Sequence, residues 1–313
     1  TIGHTEQGRR GGRQTLAERE GVSSPATRLL PPPSRCSTEL ECALMADSTP
    51  PPDWRRRRRT LAGMRAIVTG GSSGVGRAVA RELSHRGARV LVTARRQERL
   101  AELAAEDLDT PIEHEAGDLC DPGFRTKLVE LAVDRLGGID LVLAAAGSGA
   151  IGSFREADAR TFARILDLNL VAPAELVRLC LPELVRGQDP AIVFVGSILG
   201  LHPLPLHGEY CAAKSGLHAL AGSLRIELAA EGVAVMLAVL GPVATEFWES
   251  LVAGERPAWS RGKPVSAAFV AKAILDGLER RRPVVIPGWQ ARGYAWLARY
   301  LPGMIDRFAA RQV

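Results

Sequence analysis

From residue 65 the chain alternates short, mostly apolar runs with longer segments that read as amphipathic helices. The runs at about 65–69, 89–93, 139–146, 190–197, 233–240 and 283–286 are mostly apolar and strand-sized, as expected of strands buried on both faces, and a more polar strand is read at 111–117. Helices are predicted between them at about 74–86, 96–106, 122–136, 158–186, 210–231 and 266–281, the long one broken or bent near Pro173. Residues 243–265, with Trp248, Pro257 and Trp259, read as loop. Strands alternating with helices throughout imply an α/β fold, one doubly wound parallel β-sheet. Ligands of such sheets bind beyond the carboxyl ends of the strands, where Gly70, Arg95, Asp118, Gly147, Ser197 and Pro242 fall.

Residues 1–60 lack this alternation. They hold Pro31-Pro32-Pro33, Pro50-Pro51-Pro52 and an arginine run from Arg55 to Arg59, and they are expected to form a disordered extension. Such a run suits nucleic acid, an anionic surface or an address, without the apolar core of a secretory signal. A start site placed too early, or a leader, explains the segment equally well, because the chain opens on Thr1 while Met45 and Met64 follow. Deletion of 1–60 is expected to leave folding intact. These residues carry eleven arginines and seven acids, most of the net charge of +5. The basic balance therefore implies nothing about nucleic acid for the remainder. The 46% hydrophobic content supports a sizeable core, and no run reaches the length of a transmembrane helix. The five cysteines make no CxxC and no metal-ligand spacing. They read as reduced thiols of a cytoplasmic protein, with no metal expected, and Cys211 as a small buried residue.

The first predicted strand runs into Gly70-Gly71-Ser72-Ser73-Gly74-Val75-Gly76 and then a helix. Strand, glycine turn, helix and second strand form the dinucleotide cradle of a Rossmann fold, in which backbone and helix N-terminus approach a pyrophosphate. An NAD site usually places an acid after the second strand. Here Thr93-Ala94 is followed by Arg95 and Arg96, which suit a 2′-phosphate by charge and planar donor geometry. Solvated loop arginines are the plainer alternative; the expectation is NADP(H).

Ser197, Tyr210 and Lys214 form the second constellation. Tyr210 and Lys214 stand at i and i+4, on one face of a helix. An ammonium about 4 Å away at an effective dielectric near 20 favours the phenolate by about 4 kcal/mol. At about 1.4 kcal/mol per unit, the tyrosine would move from about 10 towards about 7 and could exchange a proton at neutral pH. In isolation the pair also reads as a surface tyrosine beside a solvated lysine. The lysine stands out in a chain with 36 arginines and four lysines.

Over about 64–288 the chain resembles the short-chain dehydrogenase/reductase superfamily. The matching residues are Thr69-Gly70-x-x-x-Gly74-x-Gly76, Asp118, Asn169, Ser197, Tyr210-x-x-x-Lys214 and Leu240-Gly241-Pro242-Val243-Ala244-Thr245. The resemblance implies that Tyr210 is the proton donor, that Ser197 hydrogen-bonds the substrate carbonyl, and that Lys214 lowers the Tyr210 pKa and holds the nicotinamide ribose. It further implies a water held by Asn169, an adenine contact at Asp118 and a nicotinamide or pyrophosphate contact at Thr245. It places Leu119, Ala145, Ala146, Gly147 and Pro242 on the cofactor as well, and makes Arg95 the NADP-selecting arginine. It also implies a homo-oligomer, dimer or tetramer, built through the helices at about 158–186 and 210–231. Two positions depart from the family: Ala145 stands where an asparagine is usual and Leu240 where proline is. Ala145 bears on stability rather than on proton transfer.

The segment 289–313 mixes Trp289, Tyr294, Trp296 and Phe308 with arginines, and Leu297, Leu301, Met304, Ile305 and Phe308 follow helical spacing interrupted at Pro302. A basic amphipathic helix of this kind lies in a membrane interface, or covers its own substrate cleft or a subunit contact. The expected function is an NADP(H)-dependent oxidoreductase interconverting a small-molecule ketone or aldehyde with its alcohol by hydride transfer, and the apolar, tryptophan-bearing region after Thr245 points to a hydrophobic substrate, lipid-, steroid- or acyl-like. The rival is a silent NADP(H)-binding regulatory or scaffold protein.

Overall fold

The computed structural model describes residues 58–255 and 264–312. Nine helices and nine strands are named here among those residues. The strands are β1 (Arg65–Thr69), β2 (Arg89–Ala94), β3 (Ile112–Ala116), β4 (Leu141–Ala144), β5 (Ala191–Ser197), β6 (Ala234–Leu240), β7 (Val243–Ala244), β8 (Val265–Ser266) and β9 (Val284–Val285). The helices are α1 (Gly74–His85), α2 (Gln97–Ala104), α3 (Pro122–Leu136), α4 (Ala159–Leu166), α5 (Ala172–Arg186), α6 (Gly208–Glu227), α7 (Ala267–Glu279), α8 (Trp289–Tyr300) and α9 (Pro302–Ala309). Seven strands form one parallel sheet in the order β3-β2-β1-β4-β5-β6-β9. The doubly wound α/β expectation is met, and the order reverses between β1 and β4.

Alternate residues of each strand feed opposite faces. Ala66 and Val68, Leu141 and Leu143, and Val193 and Val195 pack with Val79 and Leu83 of α1 and Ile274 and Leu275 of α7. Ile67, Val142, Ile192 and Phe194 pack with Leu128 of α3, Leu176 of α5 and Leu217 of α6. Each fully buried leucine or phenylalanine contributes about 1.5–3 kcal/mol. The sheet is thus clamped from both sides, and its carboxyl edge is held still beneath the loops that follow it.

Three local features differ from expectation. The bend expected near Pro173 lies earlier, in a π-helical turn at Asp167–Val171. Pro173 stands in the first turn of α5, where its missing N–H breaks no helical bond. Residues 243–265 were expected to be wholly loop, yet β7 and β8 form a short parallel pair, Val243↔Val265 and Ala244↔Ser266. Pro257 and Trp259 lie outside the described residues. The expected disorder of 1–60 also lies outside them except at 58–60, and there Arg59 is buried. Its guanidinium donates to Asp189 Oδ1 at 3.0 Å and to Pro190 O at 3.2 Å, and its backbone N–H to Glu279 O. Ordered packing therefore starts before residue 60. Cys211 is buried as expected. No described helix is long and apolar enough to cross a membrane.

Candidate active site

A cavity of about 980 Å³ opens at the carboxyl edge of the sheet, around the reversal between β1 and β4. Every residue expected at the site lines it. The glycine turn forms one end. Gly70 has φ +75° and Gly74 φ +56°, a region that admits glycine without strain. A Cβ on Gly76 would run into the carbonyl of Gly70, and one on Gly74 would lie 3.1 Å from Thr245 Cγ2. The turn is therefore closed tightly upon itself and leaves its outer backbone bare at the start of α1. That form fits a pyrophosphate at a helix N-terminus.

Arg95 and Arg96 follow β2, and both are exposed on the cavity. Arg96 donates to Ser72 Oγ at 3.1 Å, to Ser73 Oγ at 2.8 Å and to Glu246 Oε2 at 3.1 Å. It ties the turn to the segment after β6. Asp118 follows β3. Burial raises its pKa, but the Cys120 N–H and the Arg164 guanidinium, 2.8 Å away, outweigh that and hold it below the usual carboxylate value. Leu119 beside it is buried. After β4 the N–H groups of Ala145 and Ala146 both donate to Thr69 Oγ1, at 3.1 and 3.0 Å. This threonine supports the backbone at the position where Ala145 departs from the family. Thr245 begins a short helical turn by accepting from Phe247 N–H at 3.3 Å.

The second constellation gathers at the ends of β4 and β5. Ser197 ends β5, and its hydroxyl is hydrogen-bonded with the Tyr210 phenol while accepting from Leu199 N–H at 3.2 Å. Asn169 is fully buried in the π-helical turn, a distortion that often marks functional sites. Its amide donates to Ser148 O at 2.9 Å and Ile165 O at 3.0 Å. Its Oδ1 is buried and has no partner among the described residues. Such an atom calls for a water or ligand. A Cβ on Gly147 would lie 2.7 Å from this oxygen and 3.6 Å from Lys214 Nζ, so the glycine keeps the space between them open.

The electrostatics differ from expectation. Lys214 Nζ lies 5.7 Å from the Tyr210 ring centroid and donates to Val195 O at 3.0 Å. Burial pushes Tyr210 up to about 12, against the lowering effect of its hydrogen bond with Ser197. Burial draws Lys214 down to about 8. The predicted fall of Tyr210 towards about 7 is therefore not met by the protein alone. A charge beside the phenol favours the phenolate, but the cost of taking both groups out of water is here the larger effect.

The model of the family described as short chain dehydrogenase matches residues 64–256. The chain belongs to that family. This short-chain dehydrogenase is 34% identical over 226 residues to dehydrogenase/reductase SDR family member 4 of Bos taurus, covering 70% of this chain and 78% of the other. It is 30% identical over 213 residues to an uncharacterized oxidoreductase of Staphylococcus epidermidis, covering 68% and 90%. A short-chain dehydrogenase of Sphingobium yanoikuyae, solved with NADPH, is 26% identical, with a TM-score of 0.66 over 77% of this chain and 94% of the other. A family member of Burkholderia phymatum, solved with NAD, shares the fold at 22% identity, with a TM-score of 0.71 over 79% and 96%. The dehydrogenase is accordingly an oxidoreductase of this family.

One wall of the site was expected only in outline, a cover over the substrate cleft being one of the roles the sequence left open for 289–313. Phe247, Leu251, Tyr294, Met304 and Phe308 wall the cavity from the segment after β7 and from α8 and α9. The aromatic content and helical spacing of 289–308 were the signal for α8 and α9, whereas Phe247 and Leu251 were not singled out. His218, behind Ser197, gave no signal.

Proposed function

We propose that this protein is an NADP(H)-dependent oxidoreductase interconverting a ketone or aldehyde with its alcohol, with Tyr210 giving and taking the proton. The reading rests on one observation: Ser197, Tyr210 and Lys214 share a single cavity with the glycine turn and its two arginines. NADP(H), when bound, supplies the hydride. Gly70, Ser72, Ser73, Gly74, Val75 and Gly76 would hold its pyrophosphate, and Arg95 and Arg96 its 2′-phosphate. Asp118 and Leu119 would flank the adenine, while Ala145, Ala146, Gly147, Pro242 and Thr245 would line the nicotinamide side.

Tyr210, raised to about 12, holds its proton at neutral pH and acts as the donor when a carbonyl is reduced. Ser197, hydrogen-bonded to it, presents a second donor to the carbonyl oxygen. Lys214 places a positive charge beside the phenolate formed on proton transfer. Asn169 Oδ1 faces the same space and would hold a water that returns the proton to Lys214.

A hydrophobic substrate, lipid-, steroid- or acyl-like, is favoured by the apolar wall of Leu204, Leu206, Phe247, Leu251, Tyr294 and Leu297. A homo-oligomer is favoured by Ile226, 81% exposed on α6, and by exposed Val185 on α5. Exposed Trp289, Trp296 and Phe308 beside arginines favour a weak membrane-surface contact of a cytoplasmic protein.

The test is to follow NADPH consumption across a panel of hydrophobic ketones, with Tyr210→Phe as the control. Turnover is expected, reduced about 100-fold or more by the substitution, with NADPH binding retained. Tight NADPH binding with no turnover of any carbonyl would favour the scaffold reading.

A further inference from the structure

Strand β4 accompanies β5 only as far as the pair Ala144↔Phe194, whereas β5 continues to Ser197 against β6. Past Phe194, β5 therefore has a strand on one side only. Backbone groups on the open side need other partners. In a strand, residues two apart face the same edge, so Val195 and Ser197 both present their polar groups to the side that β4 has left. Helix α6 meets them with side chains. Lys214 donates to Val195 O at 3.0 Å, and His218 Nε2 accepts the Ser197 N–H at 3.3 Å. Tyr210, Lys214 and His218 stand at i, i+4 and i+8, one stripe along the helix.

The imidazole occupies a slot left by two glycines on either side of Ser197. A Cβ on Gly196 would run into His218 Nε2, and one on Gly200 would lie 2.7 Å from His218 Cε1. Leu237 of β6 closes the slot with apolar atoms. The charged group facing the ring is Lys214, one turn earlier on α6.

We propose that His218 is a positioning residue, its Nε2 replacing the missing strand as acceptor of the Ser197 N–H and so holding the Ser197 hydroxyl against Tyr210. The inference deepens the proposed function and rests on the roles given there to Ser197 and Tyr210. Acceptance at Nε2 requires the proton on Nδ1 and an uncharged ring. Burial first, and Lys214 second, push the imidazole down to about 4, so the acceptor persists through the neutral range. Lys214 thus acts on both ends of the stripe: it stands beside the phenol and keeps the imidazole in its accepting form.

Nuclear magnetic resonance of the full chain at neutral pH, without ligand, tests the placement. The His218 ring is expected as the tautomer with bare Nε2. In His218→Leu the Ser197 amide is expected to exchange with solvent about tenfold faster, and in His218→Gln, which keeps an acceptor, to stay near the native rate. With a turned-over ketone, kcat is expected to fall about fivefold in the leucine variant and recover in the glutamine variant, the KM for NADPH unchanged in both. A protonated Nε2 in the native protein overturns the inference, as does a leucine variant with native exchange, or a glutamine variant as impaired as leucine. If the leucine variant does not fold, the native tautomer and the glutamine variant decide. Absence of turnover on every ketone, with the exchange pattern as expected, strikes at the proposed function and leaves the placement of His218 standing.

Discussion

Lys214 directs its ammonium at the carbonyl oxygen of Val195, 3.0 Å away, while the ring of Tyr210 lies beside it with its centroid at 5.7 Å. The lysine is thus held by the backbone of β5 before any ligand arrives. Its burial has a consequence for stability. With a folded pKa of about 8 against about 10.4 unfolded, the folded state binds fewer protons between those values. The sign is then fixed: stability rises with pH across that window, and below it the full cost of the buried charge is present. Lys214→Met is expected to abolish turnover and to raise stability at pH 7 by up to about 3 kcal/mol. Urea melts from pH 7 to about 10 check this: the native protein should gain on the variant as pH rises, and parallel curves would contradict it.

Arg95 and Arg96 separate the two nicotinamide cofactors if the proposed assignment holds. Replacing both by glutamine removes two charged donors, each worth about 1.5 kcal/mol or more towards a phosphate. The expected result is a loss of about 100-fold in kcat/KM with NADPH and little change with NADH. Arg96 also braces Ser72 and Ser73, so its single variant should weaken both cofactors somewhat, whereas Arg95→Gln alone should act on NADPH. Unaltered preference in the double variant would remove the arginines from the cofactor site.

Gly147→Ala tests the space between Asn169 and Lys214. The new methyl would lie 2.7 Å from Asn169 Oδ1, and the asparagine cannot swing away while its amide serves both Ser148 O and Ile165 O. Turnover is expected to drop about tenfold or more, since small displacements at a reacting centre are costly. Circular dichroism should remain that of a folded protein. A variant with native kcat would show that the gap has no part in proton return.

Asp140 governs the acid limit. Burial raises its carboxyl, but donors from Arg65 Nε (2.8 Å), Arg65 Nη2 (2.7 Å), Arg65 N and Gln188 N hold it below its ordinary value. A depressed carboxylate stabilises the fold above its unfolded pKa of about 3.9 and loses that contribution as pH falls through the folded value. Asp140→Asn is expected to cost about 2–4 kcal/mol at pH 7. Denaturant melts should show the gap between variant and native protein closing below about pH 4; a gap that stays constant into acid would contradict the assignment.

The sheet was readable because mostly apolar runs announce its central strands, β1, β2, β4, β5 and β6, and the chemistry was readable because Tyr210 and Lys214, four residues apart, share a face of a helix. Strand ends were not. Residues 141–146 are uniformly apolar, yet β4 stops at Ala144, because the N–H groups of Ala145 and Ala146 turn to Thr69 Oγ1. A residue pattern gives no sign of such a competing acceptor. The Tyr210 pKa was misjudged for a related reason: spacing fixes the distance between two groups but says nothing of how much water surrounds them. His218 was invisible because a histidine in an apolar helix has no pattern of its own, and its partner is a backbone N–H supplied only by the fold. The wall from α8 and α9 was half legible. Its spacing identified helix, while the side it presents to the cavity depended on contacts such as Tyr294 to His202 O.

The π-helical turn at Asp167–Val171 carries an implication for how this segment is built. One residue advances a regular helix by about 100°, so a plain α-helix through 159–186 would aim either Asn169 inward or the Leu176 side of α5 onto the sheet. Widening a single turn lets one continuous rod satisfy both demands. Shortening that loop of backbone by a residue would keep the rod yet rotate one job away from its target, which makes the length of this stretch, more than its composition, the thing least free to vary.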